Sequence, residues 1–262
     1  MNPALWISKT GLDAQQTNIS VTSNNLANAS TVGFKKGRAI FEDLLYQNVH
    51  QPGGRATADT NLPSGLMLGA GSKVVATQKT FTQGSVQTTD NALDVMIDGR
   101  GFFEVMLPDG TTGYTRNGQF ALNEEGIIVT PGNGYPLQPE MQIPGNAQSI
   151  SVGTNGEVSV QLAGQADSQV IGQLTLTDFA NPAGLQPKGE NLYLATQSSG
   201  APLQGIAGAD GYGTIKQGML ETSNVNVTEE LVNLIQAQRV YEMNSKVISS
   251  VDEMMAYVNQ QL

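Results

Sequence analysis

Asn24-Asn25-Leu26-Ala27-Asn28-Ala29-Ser30-Thr31-Val32-Gly33-Phe34-Lys35 divides the chain into two kinds of sequence. Upstream, residues 1–30 read as a polar helix with a sparse apolar stripe. Downstream, the sequence is strand-like for most of its length. Asn is poor inside helices and tolerates the left-handed region, so Asn28 is placed to end the helix. Gly33 can take a positive φ at little steric cost. Phe34 is then the first large apolar anchor past the bend. By composition alone, an ordinary helix stop and turn would look the same.

Within the first helix, Leu5, Leu12, Ile19 and Leu26 fall seven apart, one stripe of a heptad pattern. The companion positions Ser8, Gln15, Thr22 and Ala29 are weak, and Lys9 and Asp13 are the only charges. Helix nucleation is costly and this seam is thin, so the helix is marginal in water without partners. Its uncharged polar residues suit a crowded helix array, where charge is costly to bury. One intramolecular partner with solvent outside satisfies the same pattern.

The other end of the chain carries a longer pattern. Val227, Leu234, Tyr241, Ile248, Met255 and Leu262 are each seven apart, with Ala237, Val251 and Val258 partly filling a companion stripe that Asn244 interrupts. Asn226 can cap this helix and Glu229 completes a capping-box-like pair, while Glu229 and Glu230 favour the positive helix start. At 1.5 Å per residue such a helix spans roughly 50 Å. The predicted fold class is α+β: a discontinuous helical domain of paired N- and C-terminal helices, coiled-coil-like, carrying a β-rich central domain. The expected boundaries are residues 1–30 and 226–262 for the helical domain, 31–70 for a connecting segment, and 71–225 for the β-rich body.

In the connecting segment, Ile40, Phe41, Leu44, Leu45 and Val49 fit a short amphipathic helix or an irregular strand. Gln51 begins a stretch rich in Gly, Pro, Ala and Thr, through Pro52-Gly53-Gly54 and Leu62-Pro63-Ser64-Gly65 to Gly71. A connection of about 20 residues without structure of its own is unusual unless functional. The body from Lys73 onward alternates strand runs (Val74-Val75, 93–97, 102–107, 127–129, 157–162, 170–179 and 192–195) with Asp-Gly, Asn-Gly and Glu-Gly turns, which predicts an all-β body.

Composition narrows the function. A net charge of −10 argues against nucleic-acid binding by a basic patch, and Lys35-Lys36 with Arg38 reads as a short solvated face. The absence of Cys excludes disulfides and thiolate metal sites. No stretch approaches the roughly 20 apolar residues of a membrane span, and the first thirty residues show no secretory apolar run. Gly65 to Lys73 lacks the Gly-Lys-Ser/Thr ending of a phosphate loop, and Gly99-Arg100-Gly101 lacks the third glycine of a dinucleotide fingerprint. Asp94, Asp98 and Glu104 lie near one another in sequence, and alternation would put Asp94 and Asp98 on one strand face, the arrangement of a carboxylate pair, but acids in turns and on surfaces are far commoner. His50, the only histidine, has no evident serine or acid partner. Catalytic, cofactor and metal residues are therefore expected to be none.

Asn25-Leu26-Ala27-Asn28, Thr31 and Gly33-Phe34-Lys35 together resemble the N-terminal signature of the bacterial flagellar rod and hook proteins. The pair Ile97-Asp98-Gly99-Arg100-Gly101-Phe102-Phe103 and Tyr114-Thr115-Arg116-Asn117-Gly118-Gln119-Phe120 resembles a second signature of that family. Gly218-Met219-Leu220-Glu221-Thr222-Ser223-Asn224-Val225 and Gln236 to Glu242 are similar to its C-terminal pattern. The resemblance implies a structural subunit, not an enzyme. It further implies assembly with itself into a helical tube that carries torque around an export channel. The implied partners are proximal rod proteins, hook or hook-junction proteins, ring bushings and the flagellar export apparatus, with export needing no cleaved signal. Within the family, length and the segment Gln51–Gly65 favour the distal part of the rod over its proximal part or the hook; that segment is expected to form a hairpin wedged between neighbours. A non-flagellar coiled-coil scaffold or adhesin and a β-fold glycan-processing enzyme are the readings outside the family.

Overall fold

The computed structural model describes residues 3–50, 64–164 and 167–261. The chain divides into two compact units, one of residues 1–27, 37–79 and 226–262, the other of 28–36 and 80–225.

The first unit is built on two helices, α1 (Pro3–Ala27) and α2 (Val227–Gln261). α1 ends at Ala27 and Asn28 keeps a negative φ, so the stop is a turn in which Asn28 C=O accepts the Thr31 N–H (3.2 Å), not a left-handed cap. At the start of α2 the Asn226 carboxamide oxygen accepts the N–H groups of Thr228 (3.1 Å) and Glu229 (3.4 Å), satisfying donors that a helix start leaves open. Gly11 lies against Asn244, and Asn25 bonds Glu230. The second pair is fourteen residues further along α1 and fourteen back along α2, so the helices run antiparallel in one register.

That unit extends further than the expected helical domain. Strand Gly37–Asp43 pairs antiparallel with Ser72–Lys79, with a bulge between Ile40 and Phe41, and α1 packs against both strands. Tyr46–His50 pairs with Leu66–Gly69. Ile40, Phe41 and Val49 are thus strand residues, Leu44 and Leu45 join the two strands, and the segment 31–70 mostly joins the helices instead of linking domains. Backbone pairing wins here because short apolar runs lack the length to form a stable helix. The Tyr46–His50 and Leu66–Gly69 ladder brackets the Gly/Pro-rich segment, of which Gln51, Pro52, Gly53, Gly54, Leu62 and Pro63 lie outside the described residues. Ser64 is exposed and Gly65 half-buried.

The second unit is antiparallel β-structure. Its largest sheet has five strands in the spatial order Leu137–Gln138, Phe103–Met106, Thr112–Thr115, Leu192–Leu194 and Gln186–Gly189. A three-stranded sheet (Ala147–Val152, Glu157–Leu162, Ser168–Gln173) lies alongside shorter pairs, including Val95–Asp98 with Thr214–Gln217 and Val86–Thr88 with Met219–Glu221. The run 170–179 is two strands, broken at Leu174, whose N–H bonds Gly156 C=O (2.7 Å). Successive side chains of an extended chain point to opposite faces. Phe103 accordingly enters the main core with Val105, Val158, Leu176 and Ile215, while Phe102 enters a second, aromatic cluster with Tyr114, Phe179, Leu185 and Tyr193.

Candidate functional site

In the second unit the three signature stretches converge on a buried charge cluster. Gly33 takes φ +70° and its N–H bonds Glu221 C=O (2.8 Å); a Cβ there would lie 2.6 Å from Asn117 N, so only glycine fits. The turn buries Phe34 and sends the next side chain inward. Lys35 is 0% exposed, and its Nζ donates to Glu221 Oε1 (2.5 Å) and Thr82 C=O (2.8 Å). Glu221 Oε1 also accepts the Gly84 N–H (2.8 Å). From the central signature, Arg116 Nη1 reaches to 3.7 Å of Glu221 Oε2, its Nη2 donates to Gly99 C=O (2.8 Å), and its guanidinium lies 5.2 Å from the Phe102 ring centre. Phe81, Phe179 and Tyr193 pack around Phe102 edge-to-face.

The expectation that Lys35 belongs to a solvated face is therefore corrected. Lys35 follows a turn that reverses its side chain into the unit, and its counter-charge lies 186 residues away, which local patterning cannot reveal. Burial pushes the Lys35 ammonium below its ordinary pKa, opposed by Glu221, and does the same to Arg116. Burial pushes the Tyr193 phenol up to about 12 against the opposing pull of Arg116. Asn224 ties the same region together. Its Oδ1 accepts the Lys36 N–H (2.7 Å), and its Nδ2 donates to the Thr80 (2.8 Å) and Thr82 (3.1 Å) carbonyls.

Within the first unit, Asn25 acts as a backbone surrogate. Its Oδ1 accepts the Gly37 N–H (2.8 Å) and its Nδ2 donates to Gly37 C=O (2.9 Å) and Glu230 Oε2 (3.1 Å). Asn25 and Glu230 are both buried, so each satisfies a polar group that would otherwise be stranded. Among the described residues, Ser8, Ala14 and Thr22 of α1 and Ala237 and Val251 of α2 are the other buried helix residues. A Cβ on Gly11 would lie 2.9 Å from Asn244 Nδ2, so small residues let the helices approach closely.

The apolar heptad stripes occupy a different position. Leu5, Leu12, Ile19, Leu26, Leu234 and Ile248 are only half-buried, and Val227, Tyr241 and Met255 are exposed. Leu262 lies outside the described residues. Of the companion stripe read as weak, Ser8 and Thr22 are buried and Gln15 and Ala29 half-buried. In the single chain the helices approach closely at small and polar residues, Gly11 against Asn244 and Asn25 against Glu230. Of the remaining signature residues, Leu26, Asn28 and Thr31 are half-buried and Ala27 is exposed. Gly101, Phe102, Phe103, Tyr114 and Thr115 are buried.

No carboxylate pair forms. Val95, Met96 and Ile97 are all buried, so the strand has no alternating acid face. Asp94 precedes the strand and accepts from Asn91 Nδ2 (2.9 Å), whereas Asp98 pairs with Lys216 Nζ (2.6 Å). Glu104, the third of these acids, is buried and accepts from Thr177 Oγ1 (2.5 Å) and Gln204 Nε2 (2.8 Å). Glu104, Glu221 and Glu230 were not singled out as site residues. Glu104 sits in a stretch read as a strand, Glu221 in the signature ahead of the last helix and Glu230 at that helix's start, and only a long-range partner gives each its role.

Comparison with known proteins gives three family matches. Residues 6–35 match the flagella basal body rod protein family, residues 96–160 the flagellar hook protein FlgE/F/G D1 domain, and residues 216–261 the flagellar basal body rod FlgEFG protein C-terminal family. The flagellar basal-body rod protein FlgG of Buchnera aphidicola subsp. Schizaphis graminum is 54% identical over 99% of this chain and 100% of its own length. FlgG of Caulobacter vibrioides is 44% identical over 98% of each chain, and FlgG of Bacillus subtilis 38% over 96% of each. The crystal structure of Helicobacter pylori flagellar hook protein FlgE2 covers 71% of this chain and 43% of its own at 14% identity and a TM-score of 0.25, too low to bear on the fold. With relatives this similar over their whole length, the chain belongs to the FlgG family of flagellar basal-body rod proteins.

Proposed function

We propose that this chain is a structural subunit of the distal part of the flagellar rod and builds that rod by assembling with copies of itself. The family is structural, not catalytic. The observation that carries the reading is the mismatch between the α1–α2 pairing and the apolar stripes. The helices meet where Gly11 lies against Asn244 and Asn25 bonds Glu230, and Ser8, Thr22 and Ala237 are buried, while heptad residues of both helices stay half-buried or exposed. Apolar surface of this extent on a helix pair marks an interaction face. Contacts of one face with a different face generate an open helical filament when the rotation between copies does not close.

In this reading the terminal helices of successive copies form an inner tube around the export channel, and the β unit forms the outer layer within the ring bushings. Proximal rod proteins, hook or hook-junction proteins and the export apparatus are its further partners. The segment Gln51–Gly65 stiffens the polymer by wedging between neighbours. The test is deletion of the gene in the native cell. Basal bodies should then carry rods that stop short of the hook, restored by the full-length chain. Complete rods and hooks in the deletion strain would contradict the reading.

A further inference from the structure

Within the β unit, the places where the chain leaves for the helical unit are bound to one another. The chain passes between the two units at residues 27/28, 36/37, 79/80 and 225/226. The Asn224 carboxamide holds the β-unit side of the last three. Its Oδ1 accepts the Lys36 N–H (2.7 Å), and its Nδ2 donates toward the Thr80 C=O (2.8 Å), the Thr82 C=O (3.1 Å) and Thr82 Oγ1 (3.0 Å). The Thr80 N–H bonds the Lys36 C=O (2.9 Å), and the Asn224 N–H bonds the Phe34 C=O (3.4 Å). The Thr82 C=O also accepts from Lys35 Nζ (2.8 Å), which joins this knot to the buried charge cluster.

The segment that follows the first passage is held from a different element. Asn191 Nδ2 donates to the Val32 C=O (2.9 Å), and Thr115 Oγ1 donates to the Asn191 C=O (2.9 Å). Asn191 and its neighbour Glu190 take φ +60° and +58°, a region strained for residues with a side chain. Such strain persists only where the surroundings over-determine it. From Val32 to Lys36 every residue is bonded to the β unit or buried in it, so these residues are part of that unit and not a linker.

We infer that Asn224 is a positioning residue that makes the β-unit ends of three chain passages one stiff root, with Asn191 gripping the fourth, so that twist enters the β unit through several backbones at once. A single free backbone transmits little twist, because φ and ψ are soft. Backbones tied side by side cannot turn independently. The inference rests on the assembly reading above and names the residues through which a subunit of that rod carries load.

Amide hydrogen exchange in the full-length Asn224→Ala chain is the test. The Thr80 and Gly33 N–H groups bond the Lys36 and Glu221 carbonyls, and neither bond uses the Asn224 side chain. Their protection should fall about tenfold or more, while the amides of the core strands 103–106 and 157–162 keep theirs. Asn191→Gly accepts the positive φ and removes only the side-chain bond to Val32. It should loosen Gly33 in the same local way, and it decides the matter if Asn224→Ala does not fold. In the native cell, rods built from Asn224→Ala should carry hooks and be more curved than wild-type rods. Unchanged protection at Thr80 and Gly33, an equal loss at every core amide, or variant rods as straight as wild type would overturn the inference and leave the rod reading standing. A wild-type chain absent from the rod would overturn the rod reading, whatever the exchange shows.

Discussion

Replacing Glu221 with Gln tests whether the signature stretches are held together by charge. Glu221 is 1% exposed and is the anion for both Lys35 and Arg116. The Gln carboxamide oxygen can keep the bonds from Lys35 Nζ and the Gly84 N–H. Its NH₂ group would then face Arg116 Nη1, donor against donor, and two buried cations would lose their counter-charge. Removing one partner of a buried pair costs about 3–5 kcal/mol, and the retained hydrogen bonds put Glu221→Gln near the lower end, about 3 kcal/mol. That is a large share of the roughly 5–15 kcal/mol that holds a domain folded. Lys35→Met should cost less, because Arg116 still faces the carboxylate. The pair should be non-additive by more than about 0.5 kcal/mol, as expected of residues in contact. Urea unfolding followed by circular dichroism should show a lower midpoint at unchanged slope. A loss below about 1 kcal/mol for Glu221→Gln, or additive single variants, would refute the reasoning.

Four more outcomes follow from the same geometry. Asn25→Asp should destabilise the helical unit more than Asn25→Ala, because it sets a carboxylate against Glu230 and removes the donor to Gly37; equal thermal shifts would contradict this. Tyr193 keeps its proton to about 12 when folded, whereas the unfolded phenol loses it near 10. Between those values the unfolded chain binds fewer protons, so stability falls as pH rises, by up to roughly 2–3 kcal/mol; Tyr193→Phe should remove that loss in alkaline urea titrations. Replacing residues 51–65 with Asn-Gly joins the paired ends His50 and Leu66 by a two-residue turn and should give polymers that curve; straight polymers of unchanged stiffness would contradict the wedge. In dilute monomer both terminal helices should be protease-sensitive and become protected on assembly, and resistant termini before assembly would count against folding on assembly.

Much of the architecture was legible because it is local. The seven-residue spacing from Val227 to Met255 and the Asn226 cap mark a helix without any partner, and Phe102 to Leu107 marks a strand. The pairing face of the helices was not legible. Heptad reasoning assigns the seam to Leu5, Leu12, Ile19 and Leu26, yet the close contacts are made at Gly11 and Asn25, and the buried residues of α1 include Ser8 and Thr22. Small polar residues allow the nearer approach, and the leucines remain for other contacts. The same limit applies to Lys35. Its neighbours Lys36 and Arg38 suggest a solvated cluster, and only a turn fixed by Gly33 and an acid 186 residues away put it inside. The strands Gly37–Asp43 and Ser72–Lys79 pair across the Gly/Pro-rich segment, so their membership in the helical unit depends on long-range register and not on any local period.

The most direct test of the central claim is immunogold electron microscopy of detergent-extracted basal bodies from the native cell, with antibody to this protein and a control for antibody access. Label on the rod between the rings and the hook is the predicted result. Label confined to the hook, or none on intact basal bodies that the control antibody reaches, would contradict the assignment to the distal rod.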